Sequence, residues 1–306
     1  MGANRQGHLT QVFFRGIYSA SQRRPPLNHG QSAMTLSLEP TPSERRKGKL
    51  SDIHLQWALR TLRDTGLVIL ERALPEDWIA AIRAACDRDV KSYLKDPALR
   101  KQFLVDAKGH IGMPPKQQSP YMDSLAIANP FATQILDEMM GPEYFCTYYN
   151  TNITWPGSAV QVLHRDTHLL FPELNVPLPP HTVVVNIMLV DFTVANGATE
   201  VWPGSHLIID RPEDQGVPLE ERARALPSRR TVAPAGSLVV RDLRMWHRGM
   251  PNQTDLIRTM LAIVYFRRFM HRSEVMKIPK RVWDTMPEKA QQLFRHNRVE
   301  RPGKPS

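Results

Sequence analysis

The sequence predicts a mainly β protein in which flanking helices pack outside an antiparallel sandwich or jelly roll. From about residue 144 onward, short β-rich runs alternate with Pro-Gly and Asn-Gly turns. No helix of crossover length separates these runs, so a parallel, doubly wound sheet is not expected. The chain has 306 residues, of which 42% are hydrophobic and 23% are charged, and this suits one large or two modest globular domains.

The chain before residue 144 predicts three helices and one buried strand. In "SDIHLQWALRTLRDTG", Ser51 is a candidate N-cap and Gly66 a candidate stop. The apolar side of this helix is expected to comprise Ile53, Leu55, Leu59 and Leu62. "LVILERAL" follows as a buried strand, "PEDWIAAIRAACDRDVKSYL" as a second helix, and "NPFATQILDEMMG" as a third helix that ends at Gly141.

The β-rich part contains six runs that we interpret as strands: "YFCTYYNTNITW", "AVQVLHRD", "HTVVVNIMLVDFT", "ATEVW", "GSLVVRD" and "RTMLAIVYFRRF". The proline-rich segments 110–123 and 169–181 are too long for tight turns, and we interpret them as lids over a site. Their apolar residues would then form a substrate wall, namely Met113, Tyr121, Leu170 and Phe171.

Both ends of the chain are basic. Residues 1–50 contain eight Lys or Arg and two acids, and residues 267–306 contain eleven and four, so the total charge of +10 leaves −3 for residues 51–266. A nucleic-acid surface usually places its basic groups on the folded domain with interleaved aromatics, so we expect no nucleic-acid partner. Residues 1–48, rich in Ser, Pro and Arg, predict a disordered or targeting extension, and residues 271–306 a basic helical extension.

The cysteines and the apolar runs of the sequence indicate the cellular compartment. The two cysteines, Cys86 and Cys146, lie far apart, which excludes a disulfide framework and a thiolate metal cage and fits a reducing environment. No apolar run is long enough to cross a bilayer. We therefore expect a cytoplasmic protein, or a mitochondrial one if the leader is a transit peptide, acting as a monomer or homodimer.

The stretch "HRDTH" at positions 164–168 allows two metal-binding arrangements. A helix would place His164 and His168 on one face, whereas a strand would place His164 and Asp166 on one face. The β-branched "AVQVL" precedes the stretch and the proline-broken "LLFPELNVPLPP" follows it, so the strand is favoured. We therefore expect His168 to lie outside the metal shell.

A third ligand is expected about eighty residues later. His247 follows the strand "GSLVVRD" and opens a turn. Two histidines and one carboxylate form the facial triad of non-haem Fe(II) oxygenases, which leaves three metal positions open for a chelating 2-oxo acid and O2. Arg258 begins the next strand, where its planar guanidinium suits the far carboxylate of such an acid. On a neighbouring strand, Tyr149, Asn150 and Asn152 are candidate substrate contacts.

The segments "HRD", "NGATEVWPGSH", "GSLVVRD" and "WHRGMPNQTDLIR" resemble the phytanoyl-CoA dioxygenase family of Fe(II)- and 2-oxoglutarate-dependent oxygenases. The resemblance covers roughly residues 51–270. It implies that the catalytic residues His164, Asp166 and His247 bind iron, and that Arg258 binds the C5 carboxylate of 2-oxoglutarate.

The same resemblance implies a double-stranded β-helix core in an oxygenase domain over residues 49–270. It also implies that Gln161 and Thr199 contact the cofactors, and that 2-oxoglutarate and O2 are consumed while a substrate is oxidised. Hydroxylation is favoured, with desaturation or epoxidation as variants, and the carboxylate at Asp166 argues against halogenation. We expect a small, mostly apolar substrate, either a secondary metabolite or a lipid-derived molecule.

Two hypotheses from other classes stay open at this point. Under the first hypothesis, the chain is a binding protein or silent subunit of the same fold. Under the second, it is a zinc hydrolase that uses His164, Asp166 and His168. Intact candidate residues for each chemical role favour the oxygenase over the silent protein, and the strand geometry favours it over the hydrolase.

Overall fold

The computed structural model describes residues 35–300 of the chain. Its strands are β1 (Ser37–Leu38), β2 (Leu67–Leu70), β3 (His110–Met113), β4 (Phe145–Thr154), β5 (Thr182–Met188), β6 (Glu200–Val201), β7 (Arg229–Arg230), β8 (Leu238–Asp242), β9 (His247–Arg248), β10 (Arg258–Phe266), β11 (Lys277–Pro279) and β12 (Arg298–Glu300). Its α-helices are α1 (Pro42–Lys47), α2 (Asp52–Thr65), α3 (Glu76–Tyr93), α4 (Pro97–Val105), α5 (Ser124–Ile127), α6 (Pro130–Met140), α7 (Leu219–Arg222), α8 (Lys280–Trp283) and α9 (Glu288–Phe294).

Two sheets form the centre of the described fold. The larger has seven strands in the order β1-β2-β8-β5-β10-β4-β3, and the smaller has three in the order β7-β6-β9. Apart from the parallel β1–β2 pair, the strands of both sheets pair antiparallel. This arrangement confirms the predicted mainly β, jelly-roll core, and the helices of the chain before residue 144 confirm the predicted flanking helices.

The strand β10 shows how the large sheet separates two environments. Because side chains alternate along a strand, Leu261, Ile263 and Tyr265 enter the main core beneath the helices. The alternate residues Ala262, Val264 and Phe266 form a separate apolar cluster on the other face, together with Val184 of β5 and Leu243. Full burial of such a side chain contributes about 1.5–3 kcal/mol, so the register of β10 is strongly fixed by its two faces.

The helix α2 begins and ends where the sequence predicts. The Ser51 side chain accepts a hydrogen bond from the His54 backbone N–H, and Gly66 ends the helix with a φ of 86°. A side chain at Gly66 would contact His206 Nδ1 at 2.6 Å, so both backbone and space require glycine here.

One predicted residue of the apolar side of α2 is wrong. Leu55, Leu59 and Leu62 are buried in the main core, whereas Ile53 is 82% exposed. Ile53 precedes Leu55 by two residues, and two residues correspond to about 200° of helix rotation, which places Ile53 on the opposite face.

Ordered structure begins earlier than the sequence predicts. Residues 35–48 belong to the predicted disordered or targeting extension, but β1 pairs with β2 and α1 forms a capped helix within them. Glu44 holds this segment, since its carboxylate accepts from the backbone N–H of Thr41 and from that of Ser51, each at 2.7 Å. The part of the prediction that concerns residues 1–34 lies outside the described residues.

The segments predicted as lids are partly structural. Residues 110–113 pair with β4, and Met113 is buried in the main core. Tyr121 is also buried there, and its hydroxyl donates to Asp89 at 2.9 Å. These two residues therefore support the helices and are not a substrate wall, whereas Phe171 is exposed.

The described part of the basic stretch 271–306 contains α8, α9 and a two-stranded parallel ribbon of β11 and β12. Ile278, Leu293 and Phe294 from this stretch are buried in the main core. Residues 301–306 lie outside the described part. Within residues 35–300, none of the helices combines the length and the apolar character that a bilayer crossing requires.

Glu44→Gln is expected to lower the free energy of unfolding at neutral pH by about 1–3 kcal/mol, because an amide replaces one of two accepting oxygens. Burial raises the pKa of Glu44, but hydrogen bonds from Ser51, Thr41 and His54 outweigh it and lower that pKa to about 2. The folded pKa is below the ordinary value, so this stabilisation is present above about pH 4.5 and is lost as the pH falls towards 2. Urea unfolding at several pH values measures both effects.

Glu39→Gln is the matched control, since Glu39 pairs with Arg45 and Arg72 on an exposed surface. It is expected to change the unfolding free energy by less than about 0.5 kcal/mol. Equal effects of the two substitutions at neutral pH would contradict the structural role given to Glu44.

Candidate metal centre

Three metal-ligating side chains meet at one end of the small sheet. His164, Asp166 and His247 each offer one ligand atom, and these atoms lie within 4.8 Å of one another. The Nε2 atom of His164 is 3.6 Å from Asp166 Oδ1, and the Nε2 atom of His247 is 3.4 Å from Asp166 Oδ2. The structure therefore brings together the three residues that the sequence singled out, although more than eighty positions separate His164 from His247.

Backbone pairing sets the positions of these residues. His164 and His247 exchange two hydrogen bonds, with N–H to O distances of 3.0 and 2.9 Å, so the segment of His164 extends the small sheet beside β9. The Asp166 N–H donates to the Leu243 carbonyl at 3.1 Å. "AVQVLHRD", predicted as a strand, is thus paired through one isolated bridge, at His164, and His164 and Asp166 still share one face.

The backbone also selects the tautomer of both histidines. His164 Nδ1 lies 2.8 Å from the Val162 carbonyl, and His247 Nδ1 lies 3.1 Å from the Met245 carbonyl. A neutral imidazole that donates through Nδ1 keeps its lone pair on Nε2. In both residues Nε2 is the atom that faces Asp166, so the free lone pairs converge with the carboxylate.

Arg241 holds the carboxylate from behind. Its Nη2 donates to Asp166 Oδ2 at 2.8 Å. Its Nη1 lies 3.2 Å from His247 Nδ1, a contact that is not a hydrogen bond while Nδ1 carries the proton donated to Met245. Burial raises the pKa of Asp166, but the neighbouring His247 and Arg241 outweigh it and lower that pKa to about 2. Burial, aided by Arg241, lowers the pKa of His247 to about 3. At neutral pH the site thus presents a carboxylate and a neutral imidazole, the forms that bind metals.

Arg258 lies at the start of β10 with its charge only partly satisfied. It is 3% exposed, its Nη2 donates to the Thr154 hydroxyl, and its guanidinium lies over the Phe192 ring at 4.6 Å. Its Nε and Nη1 are buried and have no acceptor in the described part of the chain. Burial lowers the pKa of Arg258 to about 9, so it stays a cation at neutral pH. Buried donors of this kind call for an anionic partner.

A cavity of about 210 Å³, called here the inner cavity, connects Arg258 with the three clustered residues. Gln161 and Thr199, the predicted cofactor contacts, both line it. The Gln161 carbonyl oxygen accepts from the Gly249 N–H at 2.8 Å, which fixes its side chain next to the His247 segment. Their proposed contacts with a cofactor stay predictions.

A second cavity of about 410 Å³, called here the outer chamber, opens beside the first. The two share four lining residues: Asn152, Asp166, Asn186 and Arg241. The remaining wall of the outer chamber is formed by Tyr148, Thr167, Thr182, Val184, Leu243, Ala262, Val264, Phe266, Met270 and Arg272.

The strand β4 contributes to this chamber in a way that corrects one prediction. Tyr149 was expected to face a substrate, but it pairs with Ile263 of β10, is buried in the main core and donates its hydroxyl to the Tyr121 carbonyl. Because side chains alternate along a strand, Tyr148 lies on the inward face with Asn152, and both line the chamber.

Three site residues were missed from sequence. Arg241 lies within the apolar strand β8, Thr154 ends β4, and His110 lies in a predicted loop, where its Nε2 is 2.6 Å from the Ala159 carbonyl. A cation inside "GSLVVRD" is costly to bury without a partner, and this signal was available in the sequence. As expected, the group of clustered residues does not include His168.

The chain matches a known family over most of its ordered part. Residues 62–260 match the family model described as phytanoyl-CoA dioxygenase (PhyH). Dioxygenase trt7 of Aspergillus terreus (strain NIH 2624 / FGSC A1156) is 26% identical over 249 residues, which are 79% of this chain and 84% of that relative. The iron/alpha-ketoglutarate-dependent dioxygenase ausU of Aspergillus calidoustus is 29% identical over 209 residues, which are 62% and 67% of the two chains.

A solved structure supports the fold. The non-heme alpha ketoglutarate dependent epimerase SnoN from nogalamycin biosynthesis superimposes with a TM-score of 0.51 at 18% sequence identity. The match covers 71% of this chain and 84% of that chain.

Arg241→Gln is expected to weaken the binding of a divalent probe such as Co(II) by about ten- to a hundredfold, because the Asp166 carboxylate loses the partner that orients it. Arg241→Lys keeps the positive charge and is expected to lose less. Titration of the visible Co(II) spectrum measures these affinities.

Arg248→Gln provides the control on the neighbouring residue of His247. Arg248 pairs with Glu200 at 2.7 Å at the edge of the small sheet and does not line the inner cavity. The affinity of the Arg248→Gln variant for Co(II) is expected to stay within about twofold of that of the parent. Parent-like affinity in Arg241→Gln would show that Arg241 does not orient the carboxylate.

Proposed function

The chain belongs to the phytanoyl-CoA dioxygenase family, and we propose that it is an Fe(II)- and 2-oxoglutarate-dependent dioxygenase that oxidises a small, largely apolar molecule. The observation that carries this proposal is the meeting of His164, Asp166 and His247 in one cavity with the unpaired donors of Arg258. Such a cavity presents a set of metal ligands and, at a separate position in its wall, a cation that can bind the far carboxylate of a dicarboxylate.

The donor set fits Fe(II). Two imidazole nitrogens and one carboxylate oxygen form a facial triad, in which half of an octahedral shell stays open. When bound, Fe(II) supplies the redox chemistry that links oxidative decarboxylation of 2-oxoglutarate by O2 to oxidation of the substrate. The protein residues themselves hold, orient and neutralise the reacting groups.

Asp166 acts as a ligand through one oxygen. Arg241 engages Oδ2 at 2.8 Å, which leaves Oδ1, 3.6 Å from His164 Nε2, as the less encumbered donor. A carboxylate that used both oxygens would occupy one of the three open positions. By holding Oδ2, Arg241 would keep Asp166 from using both oxygens on a bound metal, which would leave room there for a 2-oxo acid and O2.

Arg258 binds the C5 carboxylate of 2-oxoglutarate. Its Nε and Nη1 are the buried donors without a partner, while Thr154 fixes Nη2 and Phe192 supports the face of the guanidinium. Gln161 and Thr199 provide polar groups in the wall of the same cavity. The pairing removes the cost of an unsatisfied buried cation, so affinity for the cosubstrate follows from the same burial.

The outer chamber receives the substrate to be oxidised. It adjoins Asp166 and Arg241, and its far wall is the apolar cluster of β5 and β10. The apolar part of this wall supports a largely apolar substrate, a secondary metabolite or a lipid-derived molecule, and we favour its hydroxylation over desaturation or epoxidation. The compartment and the oligomeric state of the enzyme stay predictions.

The wild-type protein is expected to convert 2-oxoglutarate to succinate only when Fe(II) and O2 are both present. Asp166→Ala removes one of three metal ligands and is expected to reduce succinate formation to below about 1% of the parent, since loss of a ligand costs several kcal/mol of metal affinity. Mass spectrometry of succinate measures the cofactor dependence of the parent and the loss of turnover in the variant. Unchanged turnover in Asp166→Ala, or turnover with zinc in the absence of O2, would refute the proposal.

Arg258→Gln is expected to raise the KM for 2-oxoglutarate by about thirtyfold or more, because truncating a buried charge partner costs about 2–5 kcal/mol. The affinity for Co(II) should change little, since Arg258 contacts none of the triad residues. Steady-state kinetics and Co(II) titration separate the two effects.

A matched cosubstrate provides the control for that experiment. Pyruvate carries the chelating oxo acid but lacks the C5 carboxylate, so Arg258→Gln should leave its weak binding unchanged. An equal loss for pyruvate and 2-oxoglutarate would place Arg258 in a structural role instead.

A further inference from the structure

The outer chamber carries a charge that the chemistry at the metal does not use. Its charged lining residues are Asp166, Arg241 and Arg272. Asp166 and Arg241 are paired with each other at 2.8 Å. The charge that remains on the wall is therefore the positive charge of Arg272.

Arg272 is held over the chamber by an aromatic contact. Its guanidinium carbon lies 5.1 Å from the centroid of the Phe266 ring, and both residues line the chamber. A cation over an aromatic face gains about 0.5–1 kcal/mol at an exposed site, which favours this position of a long side chain.

The neighbouring arginines show that Arg272 differs from its surroundings. Arg267 donates to the carbonyls of Pro180 and Met139, and Arg268 pairs with Glu143. The described part of the chain offers Arg272 no hydrogen-bond acceptor or acidic partner. Within this short stretch, the arginine at the chamber is the one left for a ligand.

One part of the remaining wall is apolar, while Tyr148, Asn152, Thr167, Thr182 and Asn186 add polar groups to the rest of it. Val184, Ala262, Val264 and Phe266 form one cluster on the inward face of β5 and β10, and Met270 packs against it. A ligand that fills this space removes apolar surface from water at about 25 cal/mol per Å². The chamber thus combines an apolar surface with a cation at one side.

We propose that the outer chamber binds an apolar substrate that carries a carboxylate, and that Arg272 is the ion-pair partner of this carboxylate. The inference rests on the proposed function, which makes this chamber the substrate site, and it adds the chemical class of the substrate. A neutral ligand leaves Arg272 to water, and a cationic ligand is repelled by it. An apolar acid uses both the apolar wall and the cation.

Three probes with one chain length test the head group: decanoate, 1-decanol and decylamine. Each is titrated into the full-length protein by calorimetry at neutral pH, and into the variants Arg272→Gln, Arg268→Gln and Arg258→Gln. The parent is expected to bind decanoate more tightly than decanol, and decylamine most weakly. Arg272→Gln should weaken decanoate about fivefold, close to the upper value for an exposed ion pair, and leave decanol unchanged.

Arg268→Gln is the matched control, since Arg268 is an exposed arginine four residues away that does not line the chamber. It should bind all three probes like the parent. Loss of decanoate binding in Arg258→Gln, with parent-like binding in Arg272→Gln, would place the carboxylate in the inner cavity and overturn the proposal. Equal affinity of the parent for decanoate and decanol, tighter binding of decylamine, or no binding of any probe would also overturn it.

These outcomes are separate from those that test the oxygenase itself. The probe titrations need neither Fe(II) nor O2, so a protein that failed to form succinate would still give a head-group preference. Conversely, an active enzyme whose Arg272→Gln variant binds decanoate like the parent retains the proposed function and loses the inferred substrate class.

Discussion

Two backbone hydrogen bonds between His164 and His247 hold the candidate metal centre together. They join a segment without regular strand structure to β9, and thereby place two imidazoles with ring centroids 4.4 Å apart. Side-chain rotation alone does not produce this proximity, because the two residues come from distant parts of the chain. The jelly roll supplies it by antiparallel pairing, which fixes residues opposite each other with little freedom to slip.

Burial of the two arginines of the site costs free energy that other groups must offset. Arg241 and Arg258 are both almost completely buried, and both line the inner cavity. Arg241 is compensated within the chain by Asp166, and this pairing also orients a candidate metal ligand. Arg258 is compensated in part by the Thr154 hydroxyl and the Phe192 ring, which leaves donors for a ligand from outside. A buried ion pair adds little to stability, but it fixes the direction in which each group points.

The sequence predicts the ligands better than it predicts their surroundings. The helix α2 follows from local signals at Ser51 and Gly66, and the HxD pair follows from a period of two along an extended segment. His247 and Arg258 were singled out from their places at strand ends and from the resemblance to a family pattern, and no local rule places them near Asp166. Strand register decides the rest, and register depends on pairing between distant segments.

Two of the four corrections illustrate this limit. The burial of Tyr121 depends on Asp89, a helix residue more than thirty positions away, so its segment could not be distinguished from a lid. The order of residues 35–48 depends on the pairing of β1 with β2. The exposure of Ile53 and the burial of Tyr149 in the main core, by contrast, follow from helix and strand periods, and both were within reach of the sequence.

The most direct test of the central claim is anaerobic addition of Fe(II) and 2-oxoglutarate to the protein, followed by visible absorption spectroscopy. If His164, Asp166 and His247 hold one iron and leave two adjacent positions for the oxo acid, a weak charge-transfer band appears only when both are present. The band should be absent in Asp166→Ala. A parent protein that binds both components without the band, or a band that persists without the carboxylate, would contradict the account.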